Sequence, residues 1–599
     1  MSATEIPIQH VNGEPLNDEQ QKYLDGFFAG LAAQGVKFSD VEPAPAAEKK
    51  VSLEDLIPEE RIKRELHPLD AFSQILENAV ANKAPEKEDI FRFKWNGLFF
   101  LTPIKDAFMA RLRIPGGQLK TFQLRELANI AKELTSGYVQ ITTRANFQMR
   151  LIQPRDCPEV LRRIQSVGLH TRGAGADNIR NLTASPTAGI DPHELIDVMP
   201  FCHDLAQIII NDRSFYNLPR KFNIAFDGGG LISTVEDTND IGIKAVLVGQ
   251  ASSLSGSEIQ NNAMPTNRQD ACATIEPGVY FRIALGGTTG HKTFASDLGV
   301  LVKPAELNKV IIAIVRVYIV NGNRGDRKKA RLKHLLETWS LEKYLAETEK
   351  VLGYKLQRST SDSQSAIGNQ QSEISHSHLG VYPQKQKGLN YIGATVPVGQ
   401  ITPKQMLRVA EIADLYGSGE IRLTVWQNFI IPNVPDAYVE TVKKALRKTG
   451  FDTQQSFVRG GIIACTGNSY CKFAQSNTKS HALALGDYLE KKISLDAPIN
   501  IHLTGCPNSC AQHYIGDIGL LGAKIKGEDG YHIFVGGGFG ANKAVGRQLF
   551  TGISMASLNP TLEQILKNYL KHRQPGETFR QFTERHDLGK LQELLGEPC

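Results

Sequence analysis

The sequence predicts an α+β protein whose chain is internally duplicated. Residues 114–119, Ile-Pro-Gly-Gly-Gln-Leu, match residues 396–401, Val-Pro-Val-Gly-Gln-Ile. A second shared block ends in Asn-Phe, with the asparagine at Asn146 in the first copy and at Asn428 in the second. The two blocks are equally far apart in both copies, so no insertion lies between them. We therefore expect each half to begin with the same strand–helix–strand unit.

Further matching blocks extend the duplication into the rest of each half. They pair residues 222–224 with 499–501, 240–242 with 517–519, and 278–287 with 530–537. These blocks are typical of strands in a mixed α/β unit. Two similar halves that meet face to face create a cleft at their pseudo-twofold axis. We therefore expect several mixed α/β domains around a central cleft.

The composition is that of an ordinary globular protein. The 68 basic and 63 acidic residues leave a net charge of +5, which excludes a strongly nucleic-acid-binding chain but allows a local basic patch for an acidic partner. The sequence contains no run of about eighteen apolar residues, so it predicts no membrane span. The N-terminus carries acidic residues, little Arg and no apolar core, which argues against a targeting signal. We expect a cytoplasmic monomer.

Four of the eight cysteines form a pattern that can hold a metal centre. They occur as two pairs with short spacings, Cys465 and Cys471, then Cys506 and Cys510. Between the pairs, the apolar spacing predicts a helix around residues 482–489 and a strand over residues 499–503. Four thiolates on two loops can hold an iron–sulfur cluster or a zinc ion, although the five-residue gap after Cys465 counts against zinc. The alternative to a metal centre is that the four cysteines are unconnected residues of the hydrophobic core.

A second candidate feature is a segment with an alternating polar pattern over residues 141–149. Its predicted strand has one hydrogen-bonding face, formed by Thr142, Arg144, Asn146 and Gln148. Such a face lies either against solvent or against a polar ligand. The second copy keeps Thr424 and Asn428, but Trp426 and Ile430 interrupt its pattern. One copy can thus have specialised for a ligand and the other for packing.

Other polar residues recur in short basic segments. They are Arg111, Arg113, Arg180, Lys221 and Asn223. Arg111 and Arg113 are two residues apart, as are Lys221 and Asn223, so each pair shares a face of an extended strand. Taken singly, each cation is most simply an ordinary surface residue.

The cysteine motif resembles that of a known family. The spacing Cys-x5-Cys followed by Thr-Gly-Cys-Pro-Asn-Ser-Cys is similar to the siroheme- and [4Fe–4S]-containing nitrite and sulfite reductases, and the likeness extends over about residues 91–540. The resemblance is closest to the ferredoxin-dependent nitrite-reducing members. It implies the nitrite/sulfite reductase fold, with its domains around a central cofactor cleft. It also implies that the four cysteines hold a [4Fe–4S] cluster and that Cys510 bridges to the siroheme iron.

The same resemblance assigns roles to the other candidates. Cofactor contacts with siroheme, a tetrapyrrole rich in carboxylates, fall to Arg113, Thr142, Arg144, Asn146 and Gln148. Substrate-binding and catalytic roles fall to Arg111, Arg180, Lys221 and Asn223, around the free axial position of the iron. Arg holds an anion without losing its proton, whereas a buried Lys can donate one.

The residue at position 223 bears on the choice of substrate. Sulfite reductases of the family carry Lys there and nitrite reductases carry Asn, because one fewer cation suits monoanionic nitrite. The first hypothesis is therefore the reduction of nitrite to ammonium with electrons from ferredoxin, since no dinucleotide fingerprint is present. The alternatives are a ferredoxin-dependent sulfite reductase and, more remotely, a non-catalytic zinc protein.

The resemblance and the repeats together divide the chain into seven expected segments. They are an N-terminal helical extension and linker (1–90), a first ferredoxin-like half-repeat (91–175), a first siroheme-binding α/β domain (176–345), a Ser/Gln-rich connector (346–378), a second ferredoxin-like half-repeat (379–452), a second α/β domain with the cluster cysteines (453–558) and a C-terminal helical extension (559–599). Within the connector, residues 359–378 have too little apolar content to pack, and we expect them to form a mobile loop.

Overall fold

The structure is a computed structural model. It describes residues 10–11, 14–15, 18, 53–101, 104, 106–249, 276–359, 378–454 and 456–599. Most of the predicted N-terminal extension and linker before residue 53, and most of the Ser/Gln-rich connector, lie outside the described residues. The chain divides into two compact units, Met1–Leu56 and Ile57–Cys599. The first contains a short antiparallel strand pair and a 3-10 turn at Leu53–Asp55. All further description concerns the second unit, apart from the labels β1 and β2.

The described strands are as follows. They are β1 (His10–Val11), β2 (Glu14–Pro15), β3 (Leu98–Phe100), β4 (Phe108–Arg111), β5 (Gln118–Lys120), β6 (Val139–Ile141), β7 (Phe147–Ile152), β8 (Thr183–Ala184), β9 (Ile224–Asp227), β10 (Ile241–Val248), β11 (Gly278–Leu285), β12 (Ser296–Val302), β13 (Gly380–Pro383), β14 (Leu389–Ala394), β15 (Gln400–Ile401), β16 (Glu420–Leu423), β17 (Phe429–Pro435), β18 (Ile462–Ala464), β19 (Ile501–Thr504), β20 (Ile518–Ile525), β21 (Glu528–Val535) and β22 (Arg547–Ser554).

The described α-helices are as follows. They are α1 (Pro58–Glu65), α2 (Phe72–Ala81), α3 (Lys87–Arg92), α4 (Thr121–Leu134), α5 (Cys157–Ser166), α6 (Met199–Asn211), α7 (Leu307–Asn321), α8 (Leu332–Leu336), α9 (Leu341–Leu352), α10 (Pro403–Tyr416), α11 (Val439–Thr449), α12 (Thr478–Lys492), α13 (Met555–His572), α14 (Phe579–Glu584) and α15 (Leu588–Leu595). The predicted domain limits at residues 90, 345 and 558 fall inside α3, α9 and α13.

The two half-repeats form a pair of sheets that exchange a strand. One sheet has the order β15-β6-β7-β4-β3 and the other has the order β13-β14-β17-β16-β5. Thus β5 of the first copy pairs with β16 of the second, and β15 of the second pairs with β6 of the first. Leu124, Leu127, Ala128 and Ala131 of α4 are buried, and helices α4 and α10 pack together. The exchange joins both half-repeats in one hydrophobic core.

Each half also contains an α/β sheet, and the two sheets have the same topology. The orders are β8-β9-β10-β11-β12 and β18-β19-β20-β21-β22, with the first three strands parallel and the remainder antiparallel. The backbone N–H of Asn223 donates to Asp240 at 2.8 Å, and the N–H of Asn500 donates to Asp517 at 2.7 Å. The structure therefore confirms the duplication read from these blocks.

The elements predicted around the cysteine pairs are present. Ala482, Leu485 and Leu489 are buried on α12, and the strand predicted at residues 499–503 is β19, which begins two residues later. The predicted C-terminal helical extension includes α15, where Leu591 and Leu595 are buried. Helix α12 therefore connects the first cysteine loop to the strand that precedes the second.

The interpretation of residues 141–149 as one strand was wrong. Residues 141–149 do not form a single strand, because β6 ends at Ile141 and β7 begins at Phe147. The intervening hairpin turn is closed by the Thr142 N–H, which donates to the Asn146 carbonyl at 3.0 Å, and by Ala145 at φ 48°. The second copy has the same turn, with Thr424 donating to Asn428 at 2.9 Å and Gln427 at φ 61°. Thr142, Arg144 and Asn146 therefore project from a turn rather than from one face of a strand, while Gln148 lies on β7.

Candidate active site

A cavity of about 570 Å³ lies between the two halves. Its lining comes from both half-repeats and both α/β domains, and among the described residues it includes no Asp or Glu. Eleven cationic residues line it: Lys94, Arg111, Arg144, Arg150, Arg180, Arg220, Lys221, Arg327, Arg331, Lys472 and Lys479. A concave surface with this charge suits a ligand with several negative groups.

All four cysteines of the predicted metal centre line this cavity. Burial and the neighbouring thiols of Cys465, Cys506 and Cys471 raise the pKa of Cys510 to about 12, while Lys221 opposes the rise. The backbone N–H of Gly505 donates to Cys465 Sγ at 3.2 Å, a contact that stabilises a thiolate. Cys510 is accessible from the cavity, whereas Cys506 is buried. Four convergent thiols on two loops are a donor set that fits a [4Fe–4S] cluster.

The other four cysteines are not among the described residues that line this cavity. Cys157 and Cys202 are buried apart from the cavity and Cys599 is exposed, while Cys272 lies outside the described residues. Within the described part of the chain, no three His, Cys, Asp or Glu side chains are grouped so as to hold a single metal ion.

The residues predicted to bind substrate meet on one side of the cavity. Arg111 and Arg180 both donate to the Ala174 carbonyl, at 3.3 and 2.5 Å, and both keep a buried Nε without a hydrogen-bond partner. Burial lowers the pKa of Arg111 to about 10. Lys221 and Asn223 line the same cavity. These side chains bring N–H donors to one place in the cavity where an anion can bind.

The ammonium of Lys221 is the group in this cluster best suited to release a proton. Burial and the charge of Arg331 lower the pKa of Lys221 to about 7, the nearby Cys510 raises it, and Arg180 lowers it further. A buried amine with a pKa near neutrality can act as a general acid, because both of its protonation states are accessible.

The hairpin turn of the first copy faces the cavity and contacts the cysteine loop. Thr142, Arg144, Asn146 and Gln148 all line the cavity. The Thr143 hydroxyl donates to the Cys510 carbonyl at 2.9 Å, and Asn146 Nδ2 donates to the Leu112 carbonyl at 2.6 Å. The turn thus connects the first half-repeat to the cysteine loop of the second α/β domain.

The corresponding turn of the second copy is packed rather than open. Trp426 stands where Arg144 stands in the first copy, two residues before the shared asparagine. Its ring centroid lies 4.8 Å from that of Phe539 and 6.4 Å from that of the stacked His378. The duplicated turn is therefore specialised, one copy for lining a cavity and the other for a buried aromatic cluster.

Arg113 differs from the other candidates because it does not line the cavity. It is buried, and its guanidinium donates to the backbone carbonyls of Arg172, at 2.7 Å, and Ile179. Strand β4 ends at Arg111, so the predicted shared strand face of Arg111 and Arg113 does not form. In this structure Arg113 braces the loop that carries Arg180.

Sequence reasoning missed several cavity residues that the fold brings from distant segments. Arg331 is paired with buried Asp240, with three N···O contacts between 2.8 and 3.2 Å. Arg150 donates to the Thr466 hydroxyl at 2.6 Å, and its guanidinium carbon lies 5.6 Å from the ring centroid of Tyr470. Lys479 of α12 is buried, and burial lowers its pKa to about 7. Two of these residues carried a local signal: Arg150 follows Gln148 in the alternating polar pattern, and Lys479 lies on the helix between the cysteine pairs.

Comparisons with known proteins agree with this geometry. A model of the nitrite and sulphite reductase 4Fe-4S domain matches residues 175–356 and 458–599, and a model of the nitrite/sulfite reductase ferredoxin-like half domain matches residues 103–167 and 382–449. The chain therefore belongs to the nitrite and sulphite reductase family, and it is an oxidoreductase. Family membership implies siroheme and a [4Fe–4S] cluster as its cofactors. Each model matches twice, which confirms the internal duplication and the predicted fold class.

Individual relatives cover most of the chain. A ferredoxin–nitrite reductase of Synechococcus elongatus is 36% identical over 487 residues, which is 79% of this chain and 88% of the relative. A chloroplastic ferredoxin–nitrite reductase of Arabidopsis thaliana is 33% identical over 533 residues, or 85% of this chain and 86% of the relative. The structure of the Mycobacterium tuberculosis NirA protein matches with a TM-score of 0.78 and 28% identity, over 90% of this chain and 97% of that one.

No helix in the described part of the chain is long and apolar enough to cross a bilayer.

Proposed function

We propose that this chain reduces nitrite to ammonium in six electron transfers, with siroheme coupled to a [4Fe–4S] cluster. The observation that carries the proposal is the cavity itself, which combines four cysteine thiols with eleven cations and no acidic residue among its described lining. The thiols suit a cluster, and the cations suit both a polycarboxylate cofactor and an anionic substrate. The similarity to ferredoxin–nitrite reductases supports the choice of nitrite.

Within this proposal Arg111 and Arg180 hold the substrate anion. Their buried Nε groups lack hydrogen-bond partners among the described atoms, so they remain able to donate to a bound oxyanion. An arginine keeps its proton and therefore offsets the substrate's charge throughout the reaction. Asn223, which is nine-tenths buried, adds a neutral side chain to the pocket rather than another cation.

Lys221 supplies protons as the substrate's oxygens leave. Its pKa of about 7 means that it is partly protonated at neutral pH and can be reprotonated between steps. The carboxylates of a bound cofactor would raise this pKa, because a nearby negative charge favours the ammonium form.

The cofactors would be held by the residues that face the interior of the cavity. Arg144, Asn146 and Gln148 of the first hairpin would contact siroheme carboxylates, and Cys510 would bridge its iron to the cluster. When bound, the siroheme and cluster supply the electron transfer to the substrate's nitrogen, while the protein binds, orients and protonates. We do not propose that Arg113 contacts siroheme directly, because its Nε and Nη2 donate to backbone carbonyls.

Ferredoxin is the proposed electron donor. An acidic donor that docks on a basic surface should bind less tightly as salt rises, since charges on exposed surfaces are screened over about 8 Å at physiological ionic strength. We expect the apparent affinity for ferredoxin to fall with salt while activity with a small uncharged donor changes little. Equal responses for both donors would contradict an electrostatically guided protein partner. The monomeric state and the cytoplasmic location stay predictions.

Steady-state assays with nitrite and with sulfite would test the proposed function. The purified holoprotein would receive electrons from a reduced small-molecule donor, and ammonium and sulfide would be measured. We expect a higher kcat/KM for nitrite. A preference for sulfite would support the sulfite reductase alternative, and no reduction of either anion by a protein that carries siroheme would reject both.

A further inference from the structure

The cavity opens to the surface between two segments that are distant in sequence. One side is formed by Ile90 and Phe91 of α3 and by Lys94 in the following 3-10 turn. The other side is formed by residues 470–473 of the first cysteine loop, where Lys472 and Phe473 are exposed. Residues 90–94 precede the first residue matched by either family model. This side of the rim therefore lies outside the matched family models, whereas residues 470–473 lie inside one of them.

Lys94, Arg327 and Lys472 lie at this rim. The Lys94 Nζ lies 5.4 Å from the ring centroid of Phe91, and the guanidinium carbon of Arg327 lies 5.5 Å from the same centroid. Lys472 Nζ lies 5.3 Å from the ring centroid of Phe473. Burial and the nearby charges of Arg327 and Lys472 lower the pKa of Lys94, so the cations of the two sides act on one another.

The rim is also connected to the substrate-binding side. A side chain at Gly175 would place its Cβ 2.3 Å from the Lys94 carbonyl oxygen and 2.7 Å from the Phe99 ring. Gly175 belongs to the loop that continues to Arg180, so this loop packs directly on the segment that carries Lys94. The charge of Arg180 also acts on Lys94. Cationic side chains therefore continue from the surface at Lys472 to the predicted anion-binding residue Arg180.

The three rim cations differ in how far their charges are neutralised. Arg327 makes a bidentate ion pair with buried Asp177, at 2.8 and 2.9 Å, and also contacts Glu59 at 3.2 Å. In the part of the chain that the structure describes, neither Lys94 nor Lys472 forms an ion pair. The free positive charge at the opening therefore comes from these two lysines.

We propose that Lys94 and Lys472 form a cationic entrance that attracts anionic substrate and directs it towards Arg180. The proposal rests on the proposed function, since it assumes that the substrate is a small oxyanion. A cleft lined with charge of one sign concentrates an oppositely charged ligand, and such steering raises association rates by about 10- to 1,000-fold when many charges act together. Because Lys472 is exposed and Lys94 is partly buried behind it, the effect should weaken as salt screens the outer charge.

The test compares an anionic with an uncharged substrate in variants of the holoprotein. Lys94→Gln, Lys472→Gln and the double variant would be assayed with nitrite and with hydroxylamine, which is uncharged at neutral pH, using a small uncharged electron donor. For the double variant we expect kcat/KM for nitrite to fall by about 3- to 10-fold, mostly through KM, and to lose most of its salt dependence. The values for hydroxylamine should change little. Lys94→Arg and Lys472→Arg should retain the wild-type behaviour, because they keep the charge.

A matched control is Lys571→Gln on α13, which removes an exposed lysine that does not line the cavity. It should leave both substrates and the salt dependence unchanged. The ratio of siroheme absorbance to protein should be the same in all variants.

Four results would overturn the entrance. The first two are an unchanged kcat/KM for nitrite in the double variant and an equal loss of kcat/KM for hydroxylamine. The third is a loss of siroheme from the double variant. The fourth is an effect seen only in assays with ferredoxin, because the lysines would then be a docking surface for that protein. Failure of the proposed function is distinguishable, because the wild-type protein would then reduce sulfite but not nitrite. The same comparison would be made with sulfite, for which its greater charge predicts a larger loss in the double variant.

Discussion

The ion pair between Asp240 and Arg331 allows a stability prediction with an internal control. Asp240 is fully buried and Arg331 is nearly so, and the carboxylate accepts both the arginine and the backbone N–H of Asn223. In Asp240→Asn the amide oxygen can still accept from Asn223. Arg331, however, is left as a buried cation without its counter-ion, which costs about 3–5 kcal/mol.

The duplicated chain supplies the matched variant Asp517→Asn. Asp517 accepts the Asn500 N–H in the same way, but among the described residues no cation forms an ion pair with it. Burial raises the pKa of Asp517 to about 6, so its ionised form is not favoured by the fold. A raised carboxyl pKa means that the native state loses stability as pH rises from about 4 to 6, so a neutral amide should cost little at pH 7.

Thermal unfolding of the two purified variants at pH 7 would measure the difference. At about 2–4 °C per kcal/mol for domains of this size, Asp240→Asn should lower the apparent Tm by on the order of 10 °C. Asp517→Asn should shift it by no more than about 2 °C. Equal losses in the two variants, or an unchanged Tm for Asp240→Asn, would refute the reasoning, because the buried charge would then have found another partner.

Three further predictions concern the site. Cys510→Ser should lose the siroheme-coupled absorption, whereas Cys157→Ser, whose thiol is buried away from the cavity, should keep the wild-type spectrum; a fully active Cys510→Ser protein with intact cofactors would remove the bridging role. Asn223→Lys should raise the sulfite-to-nitrite ratio of kcat/KM by about tenfold or more, because the new ammonium would contact the bound anion at a gain of about 1–3 kcal/mol. An unchanged ratio in a variant that still binds siroheme would exclude Asn223 from substrate choice. If Lys221 is the proton donor, kcat should fall as pH rises through its pKa, at about 7 or above when carboxylates are bound, and Lys221→Arg should move that limb to higher pH; an identical pH profile would assign the proton transfer elsewhere.

Part of the site could be predicted because its signals are local in the sequence. The cysteine spacings, the repeated blocks and the helical periodicity around residues 482–489 each depend on residues close together in the chain. Neighbouring residues share one element, so their spacing fixes which of them point the same way. From these signals the sequence determined the duplication, the family resemblance and the candidate cluster ligands.

The hairpin at residues 142–146 shows where local pattern fails. Its alternation of polar and apolar residues fits a strand, and it contains no Gly or Pro to mark a turn. In the turn Ala145 adopts a positive φ. The turn is held from outside, because Asn146 Nδ2 donates to the Leu112 carbonyl and Asn181 Nδ2 donates to the Arg144 carbonyl. Those partners are tertiary, so the period-two pattern could not reveal the turn.

Only the tertiary structure decided which cations face the cavity. Arg111 and Arg113 are two residues apart, yet the first lines the cavity while the second donates to carbonyls of a neighbouring loop. Arg331 and Lys94 come from segments far from the cysteines and carry no motif of their own. A buried charge must be satisfied by whatever groups the fold brings to it, and those groups lie across the interface between the halves. For this reason the sequence by itself determined the duplication and the candidate cluster ligands, whereas long-range packing decided the charge and the opening of the cavity.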